Sequence, residues 1–435
     1  MNRHLARRGL AALVLSLTAA GCGEDATAPP ATVEDATAPE ADAPVAAEVA
    51  EPPSERVRIV PLLEDPALGL LIGRSRAVAF EVPEGAVAVT ISVVGARGDY
   101  HTVDDWRDGA SGQLVNENWL ASPEAQQGLC LGCANRVTVS DGAFATLAPN
   151  NPAATLRPGP HSVRILGFRP RPVVSEGSAV CGDTICHTLD QFNCQRDCGA
   201  SPINGRVAVQ VLAKVADDGQ LPAAGVLDLN LHFTGAQGLT ATTAQADPAF
   251  QGYLATMRDL YAQVGVSLGE LSYHDIDSVY ATIESFDGPD ADLSEMFALS
   301  VGKPDAVNLF FVNELSAGQF GAFAVVLGIS GGIPGPPRLQ GSPRSGVAIA
   351  LKPVDGAPAG VATTMAHEVG HFLGLFHTSE QSFFGGAAIH DPLPDTSEDD
   401  DSWLMFNTGA GSRISAQQGA VMRANPWIRH PEGAE

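Results

Sequence analysis

One eleven-residue run constrains this chain more than any other feature of its sequence. From His367 to His377 it reads His-Glu-Val-Gly-His-Phe-Leu-Gly-Leu-Phe-His. The apolar pattern of this run and of the residues before it predicts a helix, on which His367 and His371 lie one turn apart on the same face. Gly374 predicts the end of that helix, because glycine adopts the left-handed conformation without steric cost. The chain reversal then brings His377 back toward the other two histidines.

This spacing predicts a catalytic zinc site. Two imidazoles four positions apart on a helix can hold one Zn²⁺ at ~2.0–2.1 Å, and a third histidine leaves the fourth position open, as catalysis requires. Glu368 directly follows the first histidine, so we expect it beside the metal, where a carboxylate can accept a proton from water. The alternative is a helix whose histidines face solvent or the core.

The same run resembles the signature of the metzincin zinc metallopeptidases. His377-Thr378-Ser379-Glu380 and the loop 391–396 are similar to the pappalysin-like branch of that clan, and the resemblance covers roughly residues 222–435. It implies a methionine turn beneath the zinc, for which Met405 is the candidate. It also implies a Tyr two residues after that methionine, whose hydroxyl supports the transition-state oxyanion. This chain has Asn407 there, which is a shorter hydrogen-bond donor.

Acidic side chains follow the metal motif. Asp391 and Asp395, with the acidic run 398–401, offer the oxygen ligands that calcium prefers, and the resembled family often has such sites. A solvated acidic loop is the alternative. The expected cofactors are therefore one catalytic Zn²⁺ and, as an additional hypothesis, a structural Ca²⁺.

Residues 1–22 predict an export signal. Three arginines precede an apolar run that is too short to span a membrane. Small residues directly before Cys22 resemble a bacterial lipobox, which implies lipidation of that thiol. We therefore expect an exported lipoprotein of the bacterial cell envelope or cell surface, with a soluble secreted protein as the alternative.

Residues 23–56 predict a flexible tether. They are rich in Ala, Pro and acidic side chains, and the hexapeptide Glu-Asp-Ala-Thr-Ala-Pro occurs twice among them. Such a segment has no apolar periodicity and repels itself, so it stays extended. Its expected role is to hold a folded body away from a membrane surface.

The cysteines other than Cys22 predict disulfides, because an even remainder in an exported chain favours pairing. Cys130 and Cys133 predict a local disulfide. Residues 173–202 predict a cysteine-rich insert, in which four thiolates could instead form a structural zinc site. The candidates in that insert are Cys181, Cys186, Cys194 and Cys198.

The remaining segments predict a multidomain protein. Residues 57–172 contain short strands separated by Gly, Pro, Asn and Asp, which predicts an all-β, sandwich-like accessory domain. Residues 203–435 alternate strands with helices, which predicts an α/β, metzincin-like zinc peptidase domain. The strand predicted at 207–215 is assigned to this second domain. Its predicted helices span residues 248–264, 292–299, 361–373 and 415–425.

Charge limits the partners of this chain. It has 50 acidic and 25 basic side chains and a net charge of −25, so it would repel the phosphate backbone of a nucleic acid. We expect a monomer that acts on a protein or peptide substrate and contacts a membrane only through its N-terminal lipid. The expected function is a zinc-dependent endopeptidase tethered at the cell surface, with Glu368 as the general base. The alternative is a catalytically weak or inactive surface lipoprotein that uses the zinc fold for binding or adhesion.

Overall fold

The computed structural model describes residues 57–110, 112–121, 125–126, 128–170, 173–174, 186–187, 200–316, 326–352, 360–380 and 388–431. The predicted export signal and tether lie outside these residues, as does most of the predicted cysteine-rich insert. The described part of the chain is mostly β-sheet with few helices. None of its helices has the length and apolar character that a membrane crossing requires.

One large sheet occupies the N-terminal part of the described chain. The strands there are β1 Val57–Leu71, β2 Arg74–Ser75, β3 Val78–Val82, β4 Ala86–Val94, β5 Tyr100–Asp108, β6 Gln113–Val115, β7 Ala125–Gln126, β8 Leu129–Cys130, β9 Ser140–Asp141, β10 Ala143–Ala148, β11 Gly159–Pro170, β12 Val173–Val174, β13 Cys186–His187, β14 Ala200–Pro202 and β15 Gly205–Ala216, with a 3-10 helix at Trp119–Ala121. Eleven of them form the sheet, in the order β10-β4-β15-β1-β2-β11-β5-β6, with β3 and β14 paired to β11 and β9 paired to β5. The pairs β7–β8 and β12–β13 are separate.

Hydrogen bonding runs continuously along this sheet, which is curled. Two long strands explain the continuity. Strand β1 pairs with β15 along most of its length and with β2 at its end, and β11 pairs with β3 on one side and β5 on the other. The register of β1 shifts after Pro61 and after Asp65, and such irregularities bend a strand. The apolar core, which includes Ile91, Trp106 and Val211, fills the curl.

Strand β15 belongs to this first sheet, so its assignment to the C-terminal domain is wrong. It lies between β1 and β4, and Val209 has Asp65 as its partner on one side and Val93 on the other. The physical reason is that a strand pairs with segments distant in the sequence. Its apolar pattern specifies a buried strand but does not specify which sheet it joins.

A second sheet and four helices form the C-terminal part of the described chain. The helices are α1 Pro248–Ala262, α2 Asp292–Ala298, α3 Val361–Phe372 and α4 Ala416–Ala424, with 3-10 helices at Ala236–Gly238 and Ser278–Ala281. The strands are β16 Gly225–Phe233, β17 Val266–Asp275, β18 Thr282–Ile283, β19 Val307–Val312, β20 Glu314–Leu315, β21 Gly328–Ser330, β22 Val347–Ala350, β23 Ser379–Glu380, β24 Ile389–His390 and β25 Ile428–Arg429. The central sheet has the order β17-β16-β19-β22-β21, with β25 paired to β16. Its first four strands are parallel, whereas β21 and β25 run antiparallel to their partners.

Helices α1 and α3 pack on one face of the central sheet. Helix α1 begins after Asp247, whose carboxylate accepts a hydrogen bond from the N–H of Phe250 at 2.8 Å. The buried residues of α1, including Phe250, share one apolar core with the sheet and α3. The hydroxyl of Tyr261 donates to the carbonyl oxygen of Ala366 at 2.7 Å. Helix α3 is therefore held by the sheet and by its neighbouring helix.

A buried lysine joins the two sheets. Lys214 of β15 is 1% exposed, and its ammonium donates to the backbone carbonyls of Arg423, Asn425 and Ile428 at 2.5, 2.8 and 2.7 Å. A charge is tolerated at such depth because these carbonyls replace the water that it lost. The segment that follows α4 is thereby fixed to the first sheet.

Candidate metal centre

The C-terminal end of α3 presents two of the predicted metal ligands. His367 and His371 lie one turn apart on the helix and are 1% and 2% exposed. The helix ends at Phe372, and Gly374 follows with a φ of 110°, a value that favours glycine. The N–H of Gly374 donates to the carbonyl of His371 at 2.8 Å. The chain reverses here, and the reversal returns His377 to the first two histidines.

Three imidazoles meet at one point. Nε2 of His377 lies 3.3 Å from Nε2 of His367 and 3.1 Å from Nε2 of His371. All three side chains are buried, and their ligand atoms lie within 4.8 Å of one another. Among the described residues, no other group of three or more His, Cys, Asp or Glu side chains meets this condition. The structure thus brings together the three residues that the sequence predicts as ligands.

The other ring nitrogen of each helical histidine has a backbone partner. Nδ1 of His367 lies 2.7 Å from the carbonyl oxygen of Leu404, and Nδ1 of His371 lies 2.7 Å from that of Leu375. Because a carbonyl oxygen only accepts, both Nδ1 atoms carry the proton. The Nε2 atom of each ring is then left with a free lone pair for a metal.

The third histidine is oriented by a carboxylate. Nδ1 of His377 lies 2.7 Å from Oε2 of Glu380, three residues later. With all three Nδ1 atoms donating, three Nε2 lone pairs face one another, and a cation is needed to offset their repulsion. Tetrahedral ligands at ~2.0–2.1 Å from zinc are about 3.3–3.4 Å apart, close to the Nε2 separations seen here. The residues therefore fit a zinc ion.

Burial keeps the helical histidines neutral. It lowers the pKa of His367 to about 3, and the neighbouring His377 acts in the same direction. Burial also lowers the pKa of His371 well below its usual value, and both other imidazoles add to this effect. A neutral imidazole is the form that binds a metal, so these two side chains need lose no proton at neutral pH.

Met405 packs against the metal-binding helix. Its side chain is fully buried, and its sulfur would lie 2.7 Å from a Cβ atom at Gly370, so glycine is required for this close approach. The carbonyl of Met405 accepts a hydrogen bond from the N–H of Thr378 at 2.8 Å. The residue before it, Leu404, supplies the carbonyl for His367. This segment therefore contacts both the helix and the chain that follows the third histidine.

Glu368 lies on the same helix and faces the edge strand β21. The side chain is 1% exposed, and its Oε2 atom has no hydrogen-bond partner. Burial raises the pKa of Glu368 to about 8, and a hydrogen bond from the backbone of Ser330 opposes this shift. A Cβ atom at Gly328 would lie 2.5 Å from Cγ of Glu368, so the carboxylate is packed directly against the strand.

The other residues predicted around the site have different surroundings. Asn407 is partly exposed, and the described residues give its side chain no hydrogen bond. Oδ1 of Asp391 accepts hydrogen bonds from Leu393 and Thr396 at 3.1 and 2.6 Å. Asp395 accepts from the side chain of Ser415 and the backbone of Gln417 at 2.8 and 2.9 Å. Asp391 therefore holds its own loop, and Asp395 attaches that loop to the start of α4. These contacts do not support the calcium hypothesis.

The described residues include three of the seven cysteines. Cys130 and Cys133 form a disulfide. Cys22, Cys181, Cys194 and Cys198 lie outside the described residues. Cys186 begins the short strand β13.

Glu380 contacts a candidate ligand, although the sequence pattern indicated no role for it. An acidic side chain three residues after the third histidine was the available signal. The carbonyl groups of Leu404 and Leu375 carried no signal, because every residue has one.

The comparisons with known proteins give distant similarities only. No family model matches the chain, and no curated protein matches it. Metalloproteinase-II from Bacteroides fragilis is similar with a TM-score of 0.29 and 13% identity, over 47% of this chain and 54% of that chain. Archaemetzincin from Methanopyrus kandleri has a TM-score of 0.28 and 13% identity, over 47% of this chain and 98% of that chain. A family two carbohydrate esterase from Clostridium thermocellum has a TM-score of 0.14 and 10% identity, over 60% of this chain and 66% of that chain.

This chain therefore spans about half the length of the Bacteroides protein and nearly all of the archaemetzincin. TM-scores below 0.5 do not establish a shared fold. The functional conclusion must accordingly come from the geometry of the metal centre itself.

Proposed function

We propose that this protein is a zinc-dependent endopeptidase in which Glu368 is the general base. One observation carries the proposal: three buried Nε2 lone pairs converge, and the residue that follows the first histidine, Glu368, has a buried carboxylate oxygen with no partner. Catalytic zinc sites use three protein ligands, of which three histidines are one set, and leave a further position for water or substrate. A structural zinc site has four protein ligands instead.

The chain's own residues supply the proton transfers. Zinc held by the three histidines would contribute Lewis-acid activation of water and of a carbonyl oxygen. Glu368 takes up a proton at its unpartnered Oε2 and afterwards donates it to the leaving amine.

The edge strand β21 offers a place for the substrate. Among the described strands it pairs only with β22, and it lies against Glu368 at Gly328. An extended peptide can add to such an edge through backbone hydrogen bonds, which places its carbonyl groups beside the carboxylate. This arrangement favours a peptide bond over other amides as the substrate.

The finer classification and location belong to the same proposal. The motif supports a metzincin-type, pappalysin-like enzyme in a C-terminal α/β domain that follows an N-terminal β-domain. Residues 1–56 support export, lipidation of Cys22 and a flexible tether at the cell surface. We propose that it acts as a monomer on a protein or peptide. Calcium is left out, because Oδ1 of Asp391 and both carboxylate oxygens of Asp395 have protein partners.

The test is cleavage of a mixed peptide library by the full chain, with Glu368→Gln as the matched variant. We expect one zinc per chain in both proteins, because the substitution leaves all three ligands in place. Loss of the general base should lower kcat by about 10²–10⁴-fold. Cleavage that persists unchanged in the variant would remove Glu368 from the mechanism, and a chain without zinc would overturn the proposal as a whole.

A second candidate function is binding or adhesion without catalysis. Asn407 favours it, because this residue stands where the resembled enzymes carry a Tyr, and its side chain makes no hydrogen bond to the described residues. The same experiment separates the two functions. Zinc at one per chain with no cleavage by the unmodified protein would support binding.

A further inference from the structure

Arg136 connects the first sheet to the metal centre. It lies between β8 and β9, yet its guanidinium donates from Nη1 to the carbonyl of His390 at 2.7 Å, 254 residues later. The guanidinium carbon also lies 5.6 Å from the centre of the Phe376 ring. The side chain is 9% exposed, so these contacts are made in the interior and not on the surface.

Both contacts flank the third metal ligand. Phe376 directly precedes His377 in the chain. His390 belongs to β24, which pairs with β23 so that Glu380 stands opposite Ile389. Glu380 in turn holds Nδ1 of His377. Arg136 therefore contacts Phe376, just before the ligand His377, and strand β24, which pairs with the strand of Glu380.

The backbone of Arg136 is fixed by its own sheet. Its N–H donates to Oδ1 of Asn150 at 3.1 Å, and its carbonyl accepts from Nδ2 of the same residue at 2.6 Å. The preceding loop is closed by the disulfide of Cys130 and Cys133. The N–H of Cys130 donates to the carbonyl of Val137 at 3.0 Å. The side chain thus extends from a rigid base, as a group that positions another must.

The charges around Arg136 favour the same arrangement. Burial lowers the pKa of Arg136, and the carboxylates of Asp391 and Glu380 oppose that shift. A guanidinium is charged in proteins because its pKa is intrinsically very high. The carboxylate that orients His377 therefore lies within the field of a cation from the other sheet.

We propose that Arg136 is a positioning residue of the metal centre, which holds Phe376 and His390 so that Glu380 keeps His377 in its ligating orientation. This inference rests on the proposed zinc site. It makes the N-terminal sheet a working part of that site and not an accessory. Outer partners of metal ligands typically contribute 10–100-fold to metal affinity, so loss of the guanidinium should weaken zinc binding by about tenfold.

The test measures zinc affinity by competition with a chromophoric chelator, using the full chain and Arg136→Met. Arg97→Met is the matched control, because Arg97 also crosses from the first sheet, to Glu295 at 3.4 Å, but lies on no path to the histidines. The visible spectrum of the cobalt-substituted proteins is a second readout, because it reports ligand geometry. We expect about tenfold weaker zinc binding and an altered spectrum for Arg136→Met, with both quantities unchanged for Arg97→Met.

A double-mutant cycle with Glu380→Gln shows whether Arg136 acts through Glu380. We expect the two losses in affinity to be clearly less than multiplicative, because both substitutions interrupt one path. Zinc affinity unchanged in folded Arg136→Met, or fully multiplicative losses, would overturn the inference while leaving the zinc site intact. Failure of the unmodified chain to bind zinc would instead overturn the proposed function.

If Arg136→Met does not fold, Asn150→Ala decides the question, since it frees the backbone of Arg136 and keeps the guanidinium. A loss of zinc affinity of at least threefold would then support the inference. An unchanged affinity would overturn it.

Discussion

The two sheets differ in what they contribute to the metal centre. The second sheet and its helices carry the three histidines and Glu368, whereas the described residues of the first sheet contain no metal-compatible cluster. The N-terminal part instead contributes three buried charged side chains that contact the C-terminal part of the molecule. They are Arg136, Asp141 and Lys214. The difference teaches that the reacting groups and the groups that restrain them can come from separate parts of one chain.

The substitution Lys214→Met should have the largest effect, because Lys214 joins the two sheets. Methionine fills a similar volume but donates no hydrogen bond, so the carbonyls of Arg423, Asn425 and Ile428 lose their shared donor in the interior. We expect the free energy of unfolding to fall by about 3 kcal/mol, measured by chemical denaturation.

Lys352→Met is the control for that experiment. Its ammonium pairs with Glu314 at the surface, where both side chains are about half exposed. The expected change is within about 0.5 kcal/mol. Equal effects of the two substitutions would show that Lys214 does not couple the sheets.

The next effect concerns pH and Asp141. This side chain is fully buried, accepts hydrogen bonds from the backbone of Gly98 and Gly288 at 2.5 and 2.7 Å, and lies beside Arg344 at 3.7 Å. Burial raises its pKa from 3.8 to about 6, and Arg344 opposes the shift. Between about pH 4 and 6 the folded protein therefore holds a proton that the unfolded chain releases.

The sign of the pH effect follows from that difference. The contribution of Asp141 to the free energy of unfolding is largest at low pH and decreases by on the order of 2–3 kcal/mol as the pH rises through this window. The side chain of Asp141→Asn does not titrate, so this variant does not lose stability through that group as the pH rises. Its free energy of unfolding relative to the unmodified protein should therefore improve from pH 4 to pH 7. Asp400→Asn should change in the opposite direction, because hydrogen bonds from Ser402 lower the pKa of Asp400. Parallel pH profiles for Asp141→Asn and the unmodified protein would contradict the prediction.

The smallest effect should come from Gly328→Ala, which tests the second sheet, the part of the molecule that carries Glu368. The new methyl group would meet Cγ of Glu368 at 2.5 Å and Cγ2 of Thr364 at 2.8 Å, so the carboxylate must shift. We expect kcat to fall by about 10–100-fold with zinc affinity unchanged, since misplacing a reacting group affects the chemical step.

Gly252→Ala in α1 is the control for this substitution, because no atom lies within 4 Å of its added methyl group. It should leave kcat unchanged and stabilise the helix by up to about 1 kcal/mol. An unchanged kcat in Gly328→Ala would show that the edge strand does not position Glu368.

Short-range features of this structure could be predicted from the sequence. All four helices begin and end within two residues of their predicted bounds, because apolar periodicity and capping act over a few residues. The predicted reversal at Gly374 is present for the same reason. The convergence of His367, His371 and His377 needs only one helical turn and one reversal, so local geometry determines it.

Features that depend on distant contacts could not be predicted. The sheet that β15 joins and the curl of the first sheet depend on strand pairing across more than a hundred residues. Arg136 reads as an ordinary loop arginine, since nothing near it in the sequence indicates His390. The spacing of Glu380 from His377 was a weak indication in the sequence. Only the hydrogen bond between the two side chains shows that they are partners.

The position of Lys214 also sets the order in which the molecule can be completed. Strand β1 can pair with β15 along its full length only after residue 216 has been made. Lys214 of β15 can donate to all its acceptors only after residue 428 has been made. Loops this long close late, because their entropy is lost before distant contacts form. Almost the whole chain must therefore be present before the interior between the two sheets can close around Lys214.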